Sequence, residues 1–273
     1  MNPLTPPWAE WLASRFQQWS TITCTGPDGG RGGWAGRGNF AVLSDQTEYR
    51  QHKFQAPPGA TEILLVRHGE SAPHREGEDF PLVGGQGDPP LAPEGREEAE
   101  RVGARLALER IDAIYVTTLR RTAETAAPLA RMTGLVPTVE PDLREVHLGD
   151  WEGGIYRKRV VEGHPDAMRM MREERWDAIP GGEKAEDFET RVRAGIERVA
   201  AAHPDQRVAV FTHGGVVGEI IRQVANSRAF AFIGADNGSI SQIVVMKDRW
   251  IIRRFNDTAH LSPTFSLVPE PLT

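Results

Sequence analysis

Two apolar runs, each ending on a histidine followed by glycine, narrow the folds open to this chain. Ile63-Leu64-Leu65-Val66 leads into Arg67-His68-Gly69-Glu70-Ser71, and Val208 to Thr212 leads into His213-Gly214-Gly215. Unbroken apolar runs of this length suit strands of a sheet covered on both faces. Ligands of open α/β sheets bind where the strands leave their carboxyl ends, so both histidines are expected to face one crevice. A nucleophilic imidazole beside a fixed arginine is what phosphoryl transfer through a phosphohistidine needs.

Strand and helix signals alternate around these runs. Ala99, Val102 and Leu106 share a helical face after Pro93. Ile111–Val116 reads as a second core strand, and Leu119–Met132 as a helix ending near Gly134. Lys184–Ala202 reads as a long helix with Phe188, Val192, Ile196 and Val199 on its core face, and Val216–Val224 as the helix after His213. Ile240–Met246 and Trp250–Phe255 flank Lys247-Asp248-Arg249 as a hairpin. The alternation predicts a three-layer α/β/α domain with a mostly parallel central sheet.

Residues 1–60 differ in character and read as an N-terminal extension. Trp8, Trp11, Leu12, Phe16 and Trp19 form an apolar stripe at helical spacing. Gly26 to Gly38 reads as a glycine-rich loop, Phe40–Leu43 as a short strand, and Gln55-Ala56-Pro57-Pro58-Gly59 as a linker. The stripe is expected to dock on the core, because left exposed it would invite aggregation; a partner-binding helix is the alternative. Residues 61–262 are then the catalytic domain, and 263–273 a C-terminal tail.

The 273 residues carry a net charge of -6, which argues against nucleic acid as a partner. Arg67 and Arg121 would still make a local positive hollow for an anionic substrate. A single cysteine, Cys24, excludes an internal disulfide framework and any multi-cysteine metal site. No apolar stretch approaches the ~20 residues of a membrane span, and the first residues lack the basic and apolar regions of a signal peptide. A cytoplasmic location with no membrane partner is expected. No His-Glu-x-x-His spacing occurs, and Arg67-His68 stands where an aspartyl-phosphate enzyme would need its aspartate. No metal and no cofactor are expected.

The motifs resemble those of the histidine phosphatase superfamily, the phosphoglycerate mutase-like group. Arg67-His68-Gly69 matches its signature, and Leu119-Arg120-Arg121-Thr122-Ala123-Glu124-Thr125-Ala126 fits its Leu-x-Arg-x-x-x-Thr-Ala element. Leu143 to Gly153 is similar to its acid-bearing loop, Pro180-Gly181-Gly182-Glu183 precedes a helix as in the family, and Thr212-His213-Gly214-Gly215 closes the set. Five elements arrive in the family's order, over about Glu62 to Leu261.

The resemblance implies that His68 carries the phosphoryl group, that Arg67, Arg121 and His213 form the phosphate pocket, and that Glu145 is the proton donor. The residues suit those roles. His68 must be neutral to attack, and Arg67 and Arg121 would hold it so. Gly69 offers a backbone carbonyl to orient the other ring nitrogen. The arginine forks match phosphate oxygens, and His213 adds a third donor, strongest if protonated. Glu145 would protonate the departing alkoxide and then activate water.

Beyond this set, Glu70, Ser71, His74 and Arg75 are candidates for the substrate rim, with loop ordering or solvation as the plainer reading. Arg120 is expected to face solvent, and Arg157-Lys158-Arg159 to be a surface charge run rather than a steering patch. Trp151 and Glu152 are expected to hold the acid loop, and Gly84 to Pro90 to rim the mouth. Asn237, Gly238 and Ser239 resemble a loop that supports the site from behind. His147 and His164 are read as structural.

Gly149-Asp150-Trp151-Glu152-Gly153, followed by only a moderate segment before Pro180, looks like the phosphatase branch. The expected function is a metal-independent phosphomonoesterase acting through a phosphohistidine on a small phosphorylated metabolite. The alternatives are a cofactor-dependent phosphoglycerate mutase and, from another class, a non-catalytic phosphate-binding scaffold. Sugar phosphates, phosphoglycerate derivatives and phosphoserine all remain open as substrates, as does a homodimer.

Overall fold

The computed structural model describes residue 51 and residues 53–262. The expected tryptophan-stripe helix, the glycine-rich loop, the Phe40–Leu43 strand and the tail 263–273 lie outside the described residues.

The first strand, β1 (Thr61–Arg67), shows why its run is apolar on every position. Ile63 and Leu65 enter one hydrophobic cluster, Leu64 and Val66 another, as the two-residue period of a strand requires. Covered on both faces, the strand has no polar side to show. A short hairpin, β2 (Leu82–Val83) and β3 (Gln86–Gly87), follows, and α1 (Pro93–Leu106) begins on a proline whose missing N–H costs nothing at a helix start. Next come β4 (Ala113–Val116) and α2 (Arg120–Thr133), which Gly134 ends at φ 74 with its N–H on Ala130 O. After β5 (Thr138–Val139) come α3 (Ile155–Val161), α4 (Pro165–Glu173) and α5 (Ala185–Ala202). The chain closes through β6 (Arg207–Thr212), α6 (Gly214–Ala225), β7 (Ile240–Val245) and β8 (Trp250–Asp257).

The sheet order is β5-β4-β6-β1-β7-β8. The first four strands run parallel, and β7 and β8 add an antiparallel edge. The sheet is thus mostly parallel, as expected. The second core strand starts at Ala113 rather than Ile111, because Asp112 turns its carboxylate onto the Arg207 N–H at 2.9 Å.

On one face α1 and α2 bring Val102, Leu106, Ala126 and Leu129 to the cluster that holds Leu64 and Val66. On the other, α5 and α6 bring Phe188, Val192, Ile196, Val216 and Ile220 to Ile63 and Leu65. Each of these side chains other than Ala126 contributes about 1.5–3 kcal/mol when fully buried. The neighbours β1 and β6 therefore send their following helices to opposite faces. Where they part, a crevice opens at the carboxyl ends of the strands. Among the described residues no helix is long and apolar enough to cross a membrane.

Candidate active site

In the parallel pair of β1 and β6, Arg67 is the register partner of Thr212. The residue after each strand is a histidine, so His68 and His213 stand side by side, with His68 bordering the crevice and His213 buried beside it. Their ring centroids are 5.3 Å apart at an interplanar angle of 64°, and the His68 N–H donates to Thr212 O at 3.0 Å.

His68 Nδ1 lies 2.7 Å from Gly69 O. A carbonyl accepts only, so Nδ1 carries the proton and Nε2 keeps a lone pair. Burial first, then the charges of Arg121 and Arg67, hold the His68 pKa well below 6.5. His213 is wholly buried, does not itself border the cavity, and places Nε2 at 2.9 Å from Thr117 Oγ1. Burial, Arg121 and His68 hold it well below 6.5 as well, which keeps this ring neutral too.

Arg67 ends β1, and its Nη1 donates to Ala235 O. A β-carbon at position 214 would sit 3.2 Å from Arg67 Nε, so the glycine there leaves the guanidinium its place. Arg121, in the first turn of α2, is buried and donates to Gly87 O at 3.0 Å. Burial pushes its pKa down to about 10, against the pull of Glu145 and Asp88, and it remains a cation at neutral pH. One helical turn on, Thr125 Oγ1 donates to Arg121 O at 2.7 Å and accepts the Gly69 N–H at 3.0 Å. The four-residue spacing of Arg121 and Thr125 thus ties the loop after His68 to α2. Arg120 faces outward, paired with Glu124 at 2.8 Å.

The Glu145 carboxylate accepts from Val146 N at 3.0 Å and from Gly215 N at 3.2 Å. The latter bond seats it at the amino end of α6, where a helix favours an anion. A residue absent from the sequence reading holds the loop: Arg191 of α5 donates to the carbonyls of Asp142, Arg144 and Glu145 at 2.7, 2.7 and 2.9 Å. Its Nε, and the Nη2 that also holds Glu145 O, pair with the two oxygens of Glu183 at 2.6 and 2.7 Å. Gln86 also donates to Glu145 O at 2.7 Å. Glu152 accepts from Gly87 N and Leu148 N, both at 2.8 Å, and Trp151 is buried. Trp151, Glu152 and Glu183, the last in the Pro-Gly-Gly-Glu element, gave a sequence signal for this network; Arg191 gave none.

Arg67, His68, Gln86, Arg121, Glu145 and Glu152 border a cavity of about 890 Å³ that Glu70, Ser71 and His74 also line. The Glu70 N–H is held by Glu98 at 2.8 Å. Ser71 is buried, and His74 packs edge-on against Phe80 with its Nε2 at 3.3 Å from Asp79. Arg75 departs from expectation: it is exposed, pairs with Glu78 at 3.9 Å, and does not border the cavity, because its loop turns it outward. Arg157 departs the other way. Read as surface charge, it is partly buried and donates to Ala72 O at 2.8 Å and Ser71 Oγ at 2.7 Å, because α3 lies over the 71–73 loop. Asn237 supports the site from behind, donating to His68 O at 3.1 Å. Tyr156, on the cavity wall, has its hydroxyl pKa pushed up to about 12, by burial above all and by Glu145. Among the described residues no group of three or more His, Cys, Asp or Glu side chains is arranged to hold a metal ion.

The sequence profile of the histidine phosphatase superfamily (branch 1) matches residues 63–258. The chain is similar to phosphoglycerate mutase-like protein 4 of Arabidopsis thaliana, 33% identical over 208 residues that cover 74% of this chain and 88% of the relative. It is similar to a metal-independent phosphoserine phosphatase of the same plant, 32% identical over 206 residues that cover 74% and 84%. Among solved structures, mycobacterial glucosyl-3-phosphoglycerate phosphatase aligns with a TM-score of 0.61 at 27% identity, covering 73% of this chain and 100% of that one.

Proposed function

Because the chain belongs to branch 1 of the histidine phosphatase superfamily, we propose that His68 is the nucleophile with which it hydrolyses small phosphate monoesters. The chain is a phosphatase of phosphorylated metabolites, in keeping with relatives that act on phosphoserine and glucosyl-3-phosphoglycerate. The mutase and scaffold readings are not favoured by these relatives.

In the proposed first step the Nε2 lone pair of His68 attacks phosphorus and the bond to the ester oxygen breaks. Arg67, Arg121 and the His213 N–H take the phosphoryl oxygens, whose negative charge the two guanidinium forks match. Glu145 gives its proton to the departing alkoxide. In the second step Glu145 takes a proton from water, which attacks the phosphohistidine, releasing phosphate and restoring the His68 lone pair. Gly69 O holds the Nδ1 proton throughout. No step calls for a metal ion.

The observation that supports this reading best is the register of β1 with β6. It sets His68, on the crevice that Arg67, Arg121 and Glu145 also line, beside the buried His213. The test is turnover of para-nitrophenyl phosphate in the presence of a chelator, with acid-labile phosphoryl label trapped on the quenched protein. His68→Ala should lose both. Label or turnover that survives this substitution rejects the assignment.

A further inference from the structure

The cavity next to the phosphate end is walled by side chains that the proposed chemistry does not use. Val161, Met168 and Met171 are 72%, 59% and 39% exposed, although each is a large apolar residue. All line one cavity, together with Val160, Tyr156 and Trp176. They come from α3 and α4, or directly after α4 in the case of Trp176, and so form one side of the hollow. Apolar surface left open in this way calls for an occupant, and methionine adapts its shape to what it touches.

The wall begins where a leaving group would depart. A β-carbon on Gly215 would lie 3.6 Å from Trp176 Cζ2, on the same glycine whose N–H holds the Glu145 carboxylate. The charges of this outer half also select. Arg157 is engaged by Ser71 and Ala72 O, and Lys158 by Glu76 and Glu162. Glu70, Glu76, Glu152 and Glu162 border the same cavity. A carboxylate on the leaving group would meet these four glutamates, with the Lys158 ammonium already paired to two of them.

We infer that the preferred substrate is a phosphate monoester of an apolar alcohol without a carboxylate. This rests on the phosphatase reading above and sets the chain apart from relatives whose esters carry a carboxylate.

The test uses the full chain and compares kcat/KM for unbranched ethyl to hexyl phosphates with phosphoserine and 3-phosphoglycerate. Burial of each added methylene should raise kcat/KM about threefold to fourfold. Butyl phosphate should exceed phosphoserine by about tenfold or more. In the double variant Met168→Gln, Met171→Gln, whose sites are exposed enough to leave folding intact, the gain per methylene should shrink toward onefold. A flat series in the unaltered protein, a preference for phosphoserine, or a slope unchanged in the double variant overturns the inference while the phosphatase reading stands. Failure to hydrolyse any ester overturns both.

Discussion

His213 Nε2 lies 2.9 Å from the Thr117 hydroxyl, while its Nδ1 has no hydrogen-bond partner among the described residues. The Thr122 hydroxyl donates to Leu119 O at 2.8 Å and accepts the Thr117 N–H at 3.0 Å, so its proton is committed. The Thr117 hydroxyl accepts the Leu119 N–H at 3.3 Å and is 3.2 Å from Thr122 Oγ1. Its proton is therefore best placed on His213 Nε2, the nearer acceptor. That fixes the tautomer with the proton on Nδ1, a buried donor left for a phosphoryl oxygen. An unmet buried donor costs about 1–3 kcal/mol, a cost that a bound phosphoryl group would remove.

Thr117→Val should accordingly cost about 10–100-fold in kcat/KM, the scale seen when a partner that orients a histidine is removed. Thr117→Ser keeps the hydroxyl and should stay within about threefold, by the same reasoning. Steady-state kinetics of the two variants decide it; a valine variant as active as the parent means the hydroxyl does not set the tautomer.

Glu145→Gln should lower turnover by about 10²–10⁴-fold on an alkyl phosphate. On para-nitrophenyl phosphate, whose leaving group needs little protonation, the first step should suffer far less. Comparing single-turnover rates on the two esters separates proton donation from general disruption. Equal losses on both would remove Glu145 from the acid role.

Much of this arrangement was legible because it is written in local patterns. The apolar runs at 63–66 and 208–211 located two adjacent strands, and the histidine after each located the crevice. The spacing of Arg121 and Thr125 was readable because helix geometry brings residues four apart together. The lid was not. In α3 no residue is buried, and in α4 only Ala167 and Met170 are, so the apolar positions are too few and too short in span to announce either helix. Arg157 sits in a run of three basic residues, and nothing local distinguishes the one that turns inward. Arg191 and Gln86 grip backbone carbonyls far off in sequence, and such contacts leave no local trace.

Stability should depend on the two buried imidazoles. Both have folded pKa values well below 6.5, so below about pH 6.5 the unfolded chain binds protons that the folded chain refuses. Unfolding free energy should fall on acidification from pH 6.5 to 5.5, by up to about 1.4 kcal/mol per pH unit for each histidine. Urea titrations at the two pH values measure the slope. His213→Asn should flatten it by about 1 kcal/mol per unit, and an unaltered slope would show that His213 is not held neutral.

Arg157→Ala should act on binding more than on chemistry. Its guanidinium joins α3 to Ser71 and Ala72 across the cavity mouth, and it touches none of the groups assigned to bond breaking. KM should rise about tenfold with kcat within about threefold, the pattern of lost uniform binding. Arg157→Lys, which cannot span both acceptors, should fall between. A drop confined to kcat would contradict this division.

Arg191 is where stability and activity should fall together. Its side chain is 12% exposed and that of Glu183 14%, and the guanidinium spans three loop carbonyls and a carboxylate. Arg191→Ala leaves Glu183 without its partner in a half-buried site, which costs about 3–5 kcal/mol where a buried pair is broken on one side. Arg191→Lys keeps the charge but not the fork, so it cannot reach all of these acceptors at once. The lysine variant should therefore recover much of the unfolding free energy. It should not recover kcat, because the Glu145 carbonyl loses its hold and the acid loses its placement. Urea unfolding and alkyl phosphate kinetics on the pair of variants test this split. If lysine restores kcat along with stability, charge alone suffices and the fork does not position Glu145.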